Sequence, residues 1–279
     1  MSRDSIQKFL LENSNVRGVL VHMDETFQAI LQKHAYPKPV KKHLADVLLA
    51  AALLSARIKL KGKMTLQFRS EGVIQLLVAQ INDEGHVRGL AQWKADVDAR
   101  ELDYGLEGGQ LVITIFQEGY QDPLQSIVPI EGSTVSQALA FYFLQSEQLP
   151  TSFYFASDDL QAVGMLLQQM PEMEAGARDM QWRSLMEQMS QFDTSAMLYS
   201  DNTPLLQMEF PEENIRVFDP KPIEFKCTCS ISKMENVVKM LGQAEANLIL
   251  KDKSEIVVTC EYCNHAYGFD KAAVESIFG

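Results

Sequence analysis

Four cysteines near the C-terminal end have the residue type and spacing of a metal site. Cys227 and Cys229 form a Cys-x-Cys pair, and Cys260 and Cys263 form a Cys-x-x-Cys pair thirty residues later. They are the only cysteines in the 279 residues. Two close pairs on separate turns can supply four sulfur ligands to one tetrahedral ion, which favours zinc first and an iron–sulfur centre second.

The spacing of the cysteines leaves more than one chemistry open. Closed four-thiolate zinc sites are usually structural, as in an adaptor that binds a fixed partner. Thiolates are also the species that oxidants attack, so four of them in close pairs can leave zinc and form two local disulfides. A thiol–disulfide oxidoreductase using Cys260 and Cys263 is a third, weaker alternative, because a strand and not a helix start is predicted beside Cys260. Because four thiolates complete a tetrahedron, we expect His265 to lie on the surface or beside the ligands.

The charge and the apolar content of the chain argue against two classes of binding partner, nucleic acids and membranes. The net charge is -12 and the pI is about 4.9, which argues against nucleic acid. The longest apolar run, at 47–56, is too short to span a bilayer, and the first residues lack the apolar core of a signal peptide. We therefore expect a cytosolic protein with no membrane contact. We find no nucleotide-binding glycine loop and no nucleophile–base set, so we expect no enzymatic activity.

The elements before residue 171 predict an α+β domain, with a mostly antiparallel sheet and helices packed on it. Helices are predicted at 24–34 and 40–59, the second apolar nearly all round and therefore buried. A third runs from a cap at Ser133 or Thr134 to Gln148, with Leu139, Phe143 and Leu144 inward. Strands are predicted at 64–68, 74–81, 87–93, 111–116, 126–130, 153–156 and 165–170.

A helical linker is predicted at 172–219, after a core domain at 1–171. Eight of the thirteen methionines lie between 165 and 208. An apolar stripe with steps of three and four residues comprises Trp182, Leu185, Met189, Phe192, Ala196 and Tyr199. A helix without tertiary support is marginal in water, so we expect this linker to be metastable and its stripe to be buried in the resting state.

The third predicted domain, 220–279, carries the cysteines. Helices are predicted at 230–241 and 245–251, and strands at 256–259 and 265–269, on either side of the second cysteine pair. Fewer than sixty residues bury little surface, so we expect the domain to need its metal in order to fold.

These motifs resemble those of a known family, the redox-regulated heat-shock chaperones called 33 kDa chaperonins. The resemblance covers essentially the whole chain, in order. Its most specific part is Phe225-Lys-Cys-Thr-Cys-Ser230 with the distant Cys260-Glu-Tyr-Cys263 and Tyr267-Gly-Phe269. Further matching motifs are Asn15-Val-Arg-Gly18, His34-Ala-Tyr-Pro37, Ser146-Glu-Gln-Leu-Pro-Thr151, Gly164-Met-Leu-Leu-Gln168 and Val217-Phe-Asp-Pro220.

The resemblance implies a holdase that is inactive when reduced and bound to one zinc ion per chain. Oxidation then forms the Cys227–Cys229 and Cys260–Cys263 disulfides, expels zinc and unfolds the linker. Unfolded client proteins are the implied partners, with Trp182, Leu185, Met189 and Phe192 as the candidate client-binding stripe. Members dimerise when oxidised, so we expect a monomer in the reduced state. The chain departs from the family pattern at Val163, where a glycine is expected, and at 209–211.

Overall fold

The computed structural model describes residues 3–95, 97–103, 105–106, 108–130, 134–171 and 175–279, and only the backbone of residues 175–179. The chain forms two compact units, Met1–Phe225 and Lys226–Gly279. The boundary therefore lies within the third predicted domain. Of the helices in the described residues, none is long and apolar enough to cross a membrane.

The described residues form fourteen strands and ten α-helices. The strands are β1 Ser5–Leu11, β2 Val16–Met23, β3 Gly62–Arg69, β4 Ile74–Asn82, β5 His86–Trp93, β6 Gln110–Gln117, β7 Leu124–Pro129, β8 Thr151–Ser157, β9 Ala162–Gln169, β10 Ile215–Val217, β11 Lys221–Pro222, β12 Glu224–Phe225, β13 Glu255–Thr259 and β14 Ala266–Asp270. The helices are α1 Glu25–Leu31, α2 Lys38–Arg57, α3 Ala99–Asp103, α4 Val135–Tyr142, α5 Ala175–Met189, α6 Ala196–Tyr199, α7 Asn202–Glu209, α8 Ile231–Leu241, α9 Gln243–Asp252 and α10 Lys271–Phe278.

The first unit contains two six-stranded sheets, where the sequence indicated a single sheet. The first sheet has the order β10-β1-β2-β9-β8, with β11 also paired to β1. The second has the order β12-β5-β4-β3-β6-β7. Every pairing is antiparallel except the one between β12 and β5. The predicted α+β class, with mostly antiparallel strands, is confirmed.

Helix α2 forms the centre of the core between the two sheets. Pro37 precedes the helix and Pro39 lies in its first turn, where the missing amide hydrogen is tolerated. The residues from Val47 to Leu54 are all buried, as their unbroken apolar character predicts. They pack in one cluster with apolar side chains from both sheets.

The first sheet is apolar on both faces. Strand β9 shows this most clearly, because all eight of its residues are buried. Its alternate side chains divide between two clusters: Leu166 packs with α2, and Met165 packs on the opposite side. Side chains in a strand alternate between the faces of a sheet, so the face away from α2 also needs a cover.

We call the side of the first sheet away from α2 the outer face. Its buried apolar side chains are Phe9, Leu11, Val16, Leu20, Val163, Met165 and Leu167. Residues 175–210, the covering segment, contain helices α5, α6 and α7. The covering segment contributes the buried side chains Leu185, Met189, Met197, Leu198, Leu205, Leu206 and Phe210 to the same cluster. The linker stripe is therefore covered by a sheet of its own unit.

The predicted continuous helix is wrong, because α5 ends at Met189, although Phe192 and Ala196 of the stripe still pack against the same cluster. Asp193 accepts hydrogen bonds from the backbone N–H and the hydroxyl of Ser195, at 2.9 and 2.8 Å. This local bonding stabilises a turn and competes with continuation of the helix. The stripe fails at its last residue, Tyr199, which is 76% exposed.

The predicted inward position of Leu144 is also wrong, since its side chain is 55% exposed. Helix α4 is capped by the Thr134 hydroxyl, which accepts from the N–H of Gln137, whereas Ser133 lies outside the described residues. A π-helical turn follows at Phe143–Glu147, and Gln148 is left-handed with φ 55°. The wider turn rotates residue 144 away from the core while Phe143 stays buried.

The second unit is built around a hairpin of β13 and β14 with three helices. Ser230 caps α8 through its hydroxyl, which accepts from the N–H of Lys233. The buried apolar side chains of this unit are Val238, Ala246, Ile256, Phe269 and Val274. A core of this size stabilises a chain of fewer than sixty residues only weakly.

Candidate functional site

The first cysteine pair lies on a segment of the second unit that is neither helix nor strand. Cys227 and Cys229 precede the capping residue Ser230, so the start of α8 fixes the end of this segment. The Lys233 ammonium, one turn into the helix, donates to the backbone carbonyl of Thr228 between the two cysteines. This contact places a positive charge beside the segment that carries the two sulfurs.

The second pair lies in the tight turn that joins β13 to β14. The N–H groups of Cys263 and Asn264 both donate to the carbonyl of Cys260, at 3.3 and 2.8 Å. The N–H of Cys260 donates to the carbonyl of His265 at 2.9 Å. Asn264 takes a left-handed conformation with φ 57°, which asparagine tolerates better than most residues. The turn directs both sulfurs to one side.

The four sulfur atoms meet with the separation that a tetrahedral metal needs. All four lie within 4.8 Å of one another. The sulfurs of Cys227 and Cys260 are 3.7 Å apart, and those of Cys229 and Cys263 are 3.5 Å apart. Zinc–sulfur bonds of about 2.3 Å place tetrahedral sulfurs roughly 3.8 Å apart. The donor set and its spacing therefore fit one soft divalent ion.

Electrostatics of the thiol cluster also favour a cation. Burial raises the pKa of the Cys263 thiol, and hydrogen bonds with the neighbouring sulfurs raise it further, to about 12. Burial also opposes ionisation of Cys227, but hydrogen bonds from the Cys229 backbone and from the neighbouring thiols lower the pKa of Cys227 to about 7. Four thiolates this close repel one another strongly, so a bound divalent ion is needed to keep all four deprotonated.

An aromatic side chain contacts the cluster at Cys229. The Tyr267 hydroxyl donates a hydrogen bond to the Cys229 sulfur at 3.2 Å. This bond is the main cause that raises the pKa of Tyr267 to about 12. The ring of His265 packs edge-on against Tyr267, with 4.6 Å between centroids, and His265 is exposed. The sequence showed Tyr267 only as part of a motif, and no spacing rule indicated its contact with sulfur.

The candidate client-binding stripe lies on the covering segment. Leu185 and Met189 are buried and Trp182 and Phe192 are half-buried against the outer face, which agrees with the burial expected at rest. Phe192 packs edge-on against Tyr154 of β8, at 5.6 Å between centroids. The four residues therefore share one cluster, even though the helix ends at Met189.

Polar contacts fix the second half of the covering segment to the first sheet. The Arg3 guanidinium donates to the carbonyl of Leu198 at 3.2 Å. The Asn202 side chain donates to the Gln7 side-chain oxygen at 2.5 Å. These contacts hold the start of α7 against β1.

A buried histidine lies beneath this polar contact. His22 is 2% exposed, and neither ring nitrogen makes a hydrogen bond of normal geometry within the described part of the chain. Burial is the main cause that lowers the pKa of His22 to about 4, and the Arg3 guanidinium adds to it. Asp24, Asn202 and Asp201 act in the opposite direction. The ring is therefore neutral while the segment covers it.

Comparison with known proteins places the chain in a family. The family described as Hsp33 protein matches residues 4–270. This chain belongs to the Hsp33 family. Among its Hsp33 relatives, the 33 kDa chaperonin of Nitrosococcus oceani is 40% identical over 277 residues, covering 99% of this chain and 95% of that protein. The 33 kDa chaperonin of Methylobacillus flagellatus is 34% identical over 276 residues, covering 99% and 94%.

A solved Hsp33 structure has the same fold. The crystal structure of the 33 kDa chaperonin from Thermotoga maritima aligns with a TM-score of 0.84 at 24% identity, covering 98% of this chain and 97% of that one. The predicted family resemblance is therefore confirmed. The departure at Val163 is accommodated by burial, because its side chain lies fully inside the outer-face cluster.

Proposed function

We propose that this protein is a chaperone of the holdase type, which binds unfolding proteins and prevents their aggregation under oxidative and heat stress. Support comes from its membership of the Hsp33 family and from the name chaperonin carried by relatives that match nearly its full length. The apolar cluster under the covering segment supplies a surface of the right chemistry for clients.

In the proposed resting state all four cysteines are reduced and hold one zinc ion, which supplies the folding free energy that the small apolar core lacks. Oxidation by hydrogen peroxide removes two electrons from Cys227 and Cys229, which form one S–S bond. A second equivalent does the same to Cys260 and Cys263. In each step the O–O bond breaks and, with two protons taken up, two molecules of water form. No thiolate then remains to hold zinc, and the ion leaves.

The observation that carries this proposal is the arrangement of the pairs. The sulfurs of both pairs meet within 4.8 Å, so all four can hold one ion. The members of each pair are only two or three positions apart in the chain, so each pair can close on itself when the ion leaves. The Cys260 turn joins two strands and does not open a helix, which disfavours the oxidoreductase alternative.

We further propose three roles along the chain: a core at 1–171, a detachable linker at 172–219 and a redox switch at 220–279. Release of the linker would expose its stripe, Trp182, Leu185, Met189 and Phe192, together with the outer face beneath it. Met suits such a surface because it is flexible and packs against varied partners. We propose a cytoplasmic protein, monomeric when reduced and dimeric when oxidised. We expect no nucleic-acid or membrane partner and no catalysis.

The test follows zinc release during peroxide treatment at elevated temperature, with light scattering of a heat-unfolding client read in parallel. We expect about one zinc ion per chain to leave as suppression of client aggregation appears. Zinc that stays bound, or leaves without any gain in suppression, would instead support the redox-insensitive adaptor.

A further inference from the structure

The hydroxyl of Tyr267 connects the two halves of the cysteine cluster. Tyr267 lies on β14, paired with Val258 of β13, in the hairpin whose turn carries Cys260 and Cys263. Its hydroxyl contacts Cys229, on the segment before α8. We propose that Tyr267 is a positioning residue that restrains attack of the Cys229 sulfur on oxidants, an inference that rests on the proposed function.

The geometry holds the Tyr267 ring in place from two sides. The β13–β14 ladder fixes its backbone, and the edge-on contact with His265 limits its rotation. The hydroxyl therefore meets the Cys229 sulfur at 3.2 Å as a donor with a fixed direction. The same sulfur lies 3.5 Å from that of Cys263, so the hydrogen bond is made inside the cluster.

The chemical effect follows from the charge on sulfur. A hydrogen bond to a thiolate stabilises its negative charge and engages a lone pair, and both effects lower its nucleophilicity. In the first oxidative step the Cys229 thiolate attacks one oxygen of hydrogen peroxide. An S–O bond forms, the O–O bond breaks and hydroxide leaves. The Cys227 thiolate then displaces a second hydroxide from this sulfenic acid and forms the disulfide.

Removing the hydroxyl should make the switch more sensitive to oxidant. Tyr267→Phe keeps the ring and its packing but removes the donor. We expect zinc to leave roughly three to ten times faster at limiting peroxide, because only about half of the effect of a hydrogen bond on a thiolate is felt in the rate of its attack. Tyr199→Phe is the matched control, because it removes an exposed hydroxyl in the other unit and should release zinc at the wild-type rate.

Two readouts separate this role from a merely structural one. In the cobalt-substituted protein, loss of the donor destabilises the sulfur orbital, so the sulfur-to-cobalt charge-transfer band should move to lower energy. Iodoacetamide labelling of the zinc-loaded, reduced protein, read by mass spectrometry, should modify Cys229 faster in Tyr267→Phe than in wild type. Zinc affinity from chelator competition should fall by no more than the roughly 10–100-fold typical of a lost hydrogen bond to a metal ligand.

An unshifted cobalt band with unchanged Cys229 labelling would overturn the inference. So would spontaneous zinc loss from Tyr267→Phe without oxidant, which would make the tyrosine structural. Neither readout uses peroxide, so both decide the role of Tyr267 even if wild-type protein keeps its zinc under oxidant. Retained zinc in that experiment contradicts the redox switch of the proposed function instead.

Discussion

The two units of this protein are stabilised by different means. The first has a core that surrounds a twenty-residue helix with apolar side chains from two sheets. The second buries five apolar side chains and gathers four thiols. All four cysteines lie in the second unit, so a reagent that attacks thiols has its targets there and none in the first unit.

The largest effect is expected in the second unit, which has the smaller apolar core. Removal of the metal by a chelator under reducing conditions should unfold residues 226–279, because structural zinc contributes on the order of 10 kcal/mol of apparent folding free energy. Cys229→Ser should have the same effect. Limited proteolysis with mass spectrometry would show new cleavage after residue 226, and Thr228→Ser is the control. Equal protection with and without metal would contradict a metal-dependent fold.

The next largest effect is expected in the first unit, which has the larger apolar core. Leu48 is fully buried in α2, so Leu48→Ala should lower the free energy of unfolding of the first unit by about 2–5 kcal/mol. Urea unfolding followed by tryptophan fluorescence would measure it. Leu144→Ala, at an exposed position on the neighbouring π-helical turn, should change the free energy of unfolding by less than about 0.5 kcal/mol. A loss from Leu48→Ala as small as that of the control would mean that Leu48 does not lie in a packed core.

A third substitution tests whether the covering segment of the first unit can detach while the core of that unit stays folded. Leu185→Ala should weaken attachment of the covering segment by about 2–4 kcal/mol while the core stays folded. Reduced, metal-loaded protein should then show faster proteolysis within residues 180–210 and partial suppression of client aggregation without oxidant. Met180→Ala, at an exposed position of the same helix, is the control. If proteolysis became faster but client aggregation were not suppressed, release of the covering segment would not be enough for client binding.

The smallest effect is a pH dependence that involves His22. Its pKa is about 4 in the folded protein, against about 6.5 when unfolded, so the unfolded or uncovered state binds the extra proton. The resulting stability is fully present above about pH 6.5 and is lost as pH falls towards 4, up to about 3 kcal/mol. Asp24 and Asp201 oppose this loss and Arg3 adds to it.

The matching variant is His22→Gln, which has no proton to gain in this range. Hydrogen exchange of residues 196–210, corrected for the intrinsic pH dependence of amide exchange, should show protection factors that fall between pH 7.5 and 5 in wild type and much less in the variant. Because both proteins have the same cysteines, the difference between them excludes acid effects on the thiols. If protection changed with pH in the same way in wild type and in His22→Gln, His22 would not contribute to the pH dependence of stability.

Sequence reasoning was most successful where one local rule decides the structure. The clustered thiols, the buried helix α2 and strands β3 to β7 of the second sheet follow from spacing and periodicity. Strands β1 and β2 were not predicted: β2 is buried on both faces, which removes the alternation that identifies a strand. The first sheet could therefore be recognised only in part.

The remaining misses have local causes that periodicity does not contain. The exposed positions of Leu144 and Tyr199 follow from a π-helical turn and from the bonds around Asp193. Contact of Tyr267 with Cys229 depends on how two segments 38 positions apart come together. Tertiary juxtaposition of this kind has no signature in the spacing of one segment.

Both faces of the first sheet are apolar, so its outer face can bind more than one apolar ligand. If clients bind the outer face, the covering segment is itself a ligand of that face, attached by the chain to its own receptor. A short tether gives an effective concentration in the millimolar range, so a micromolar client of equal affinity would occupy roughly one site in a thousand. The resting protein would then exclude clients by mass action alone, and weakening the tethered ligand, without altering its receptor, would be enough to admit them.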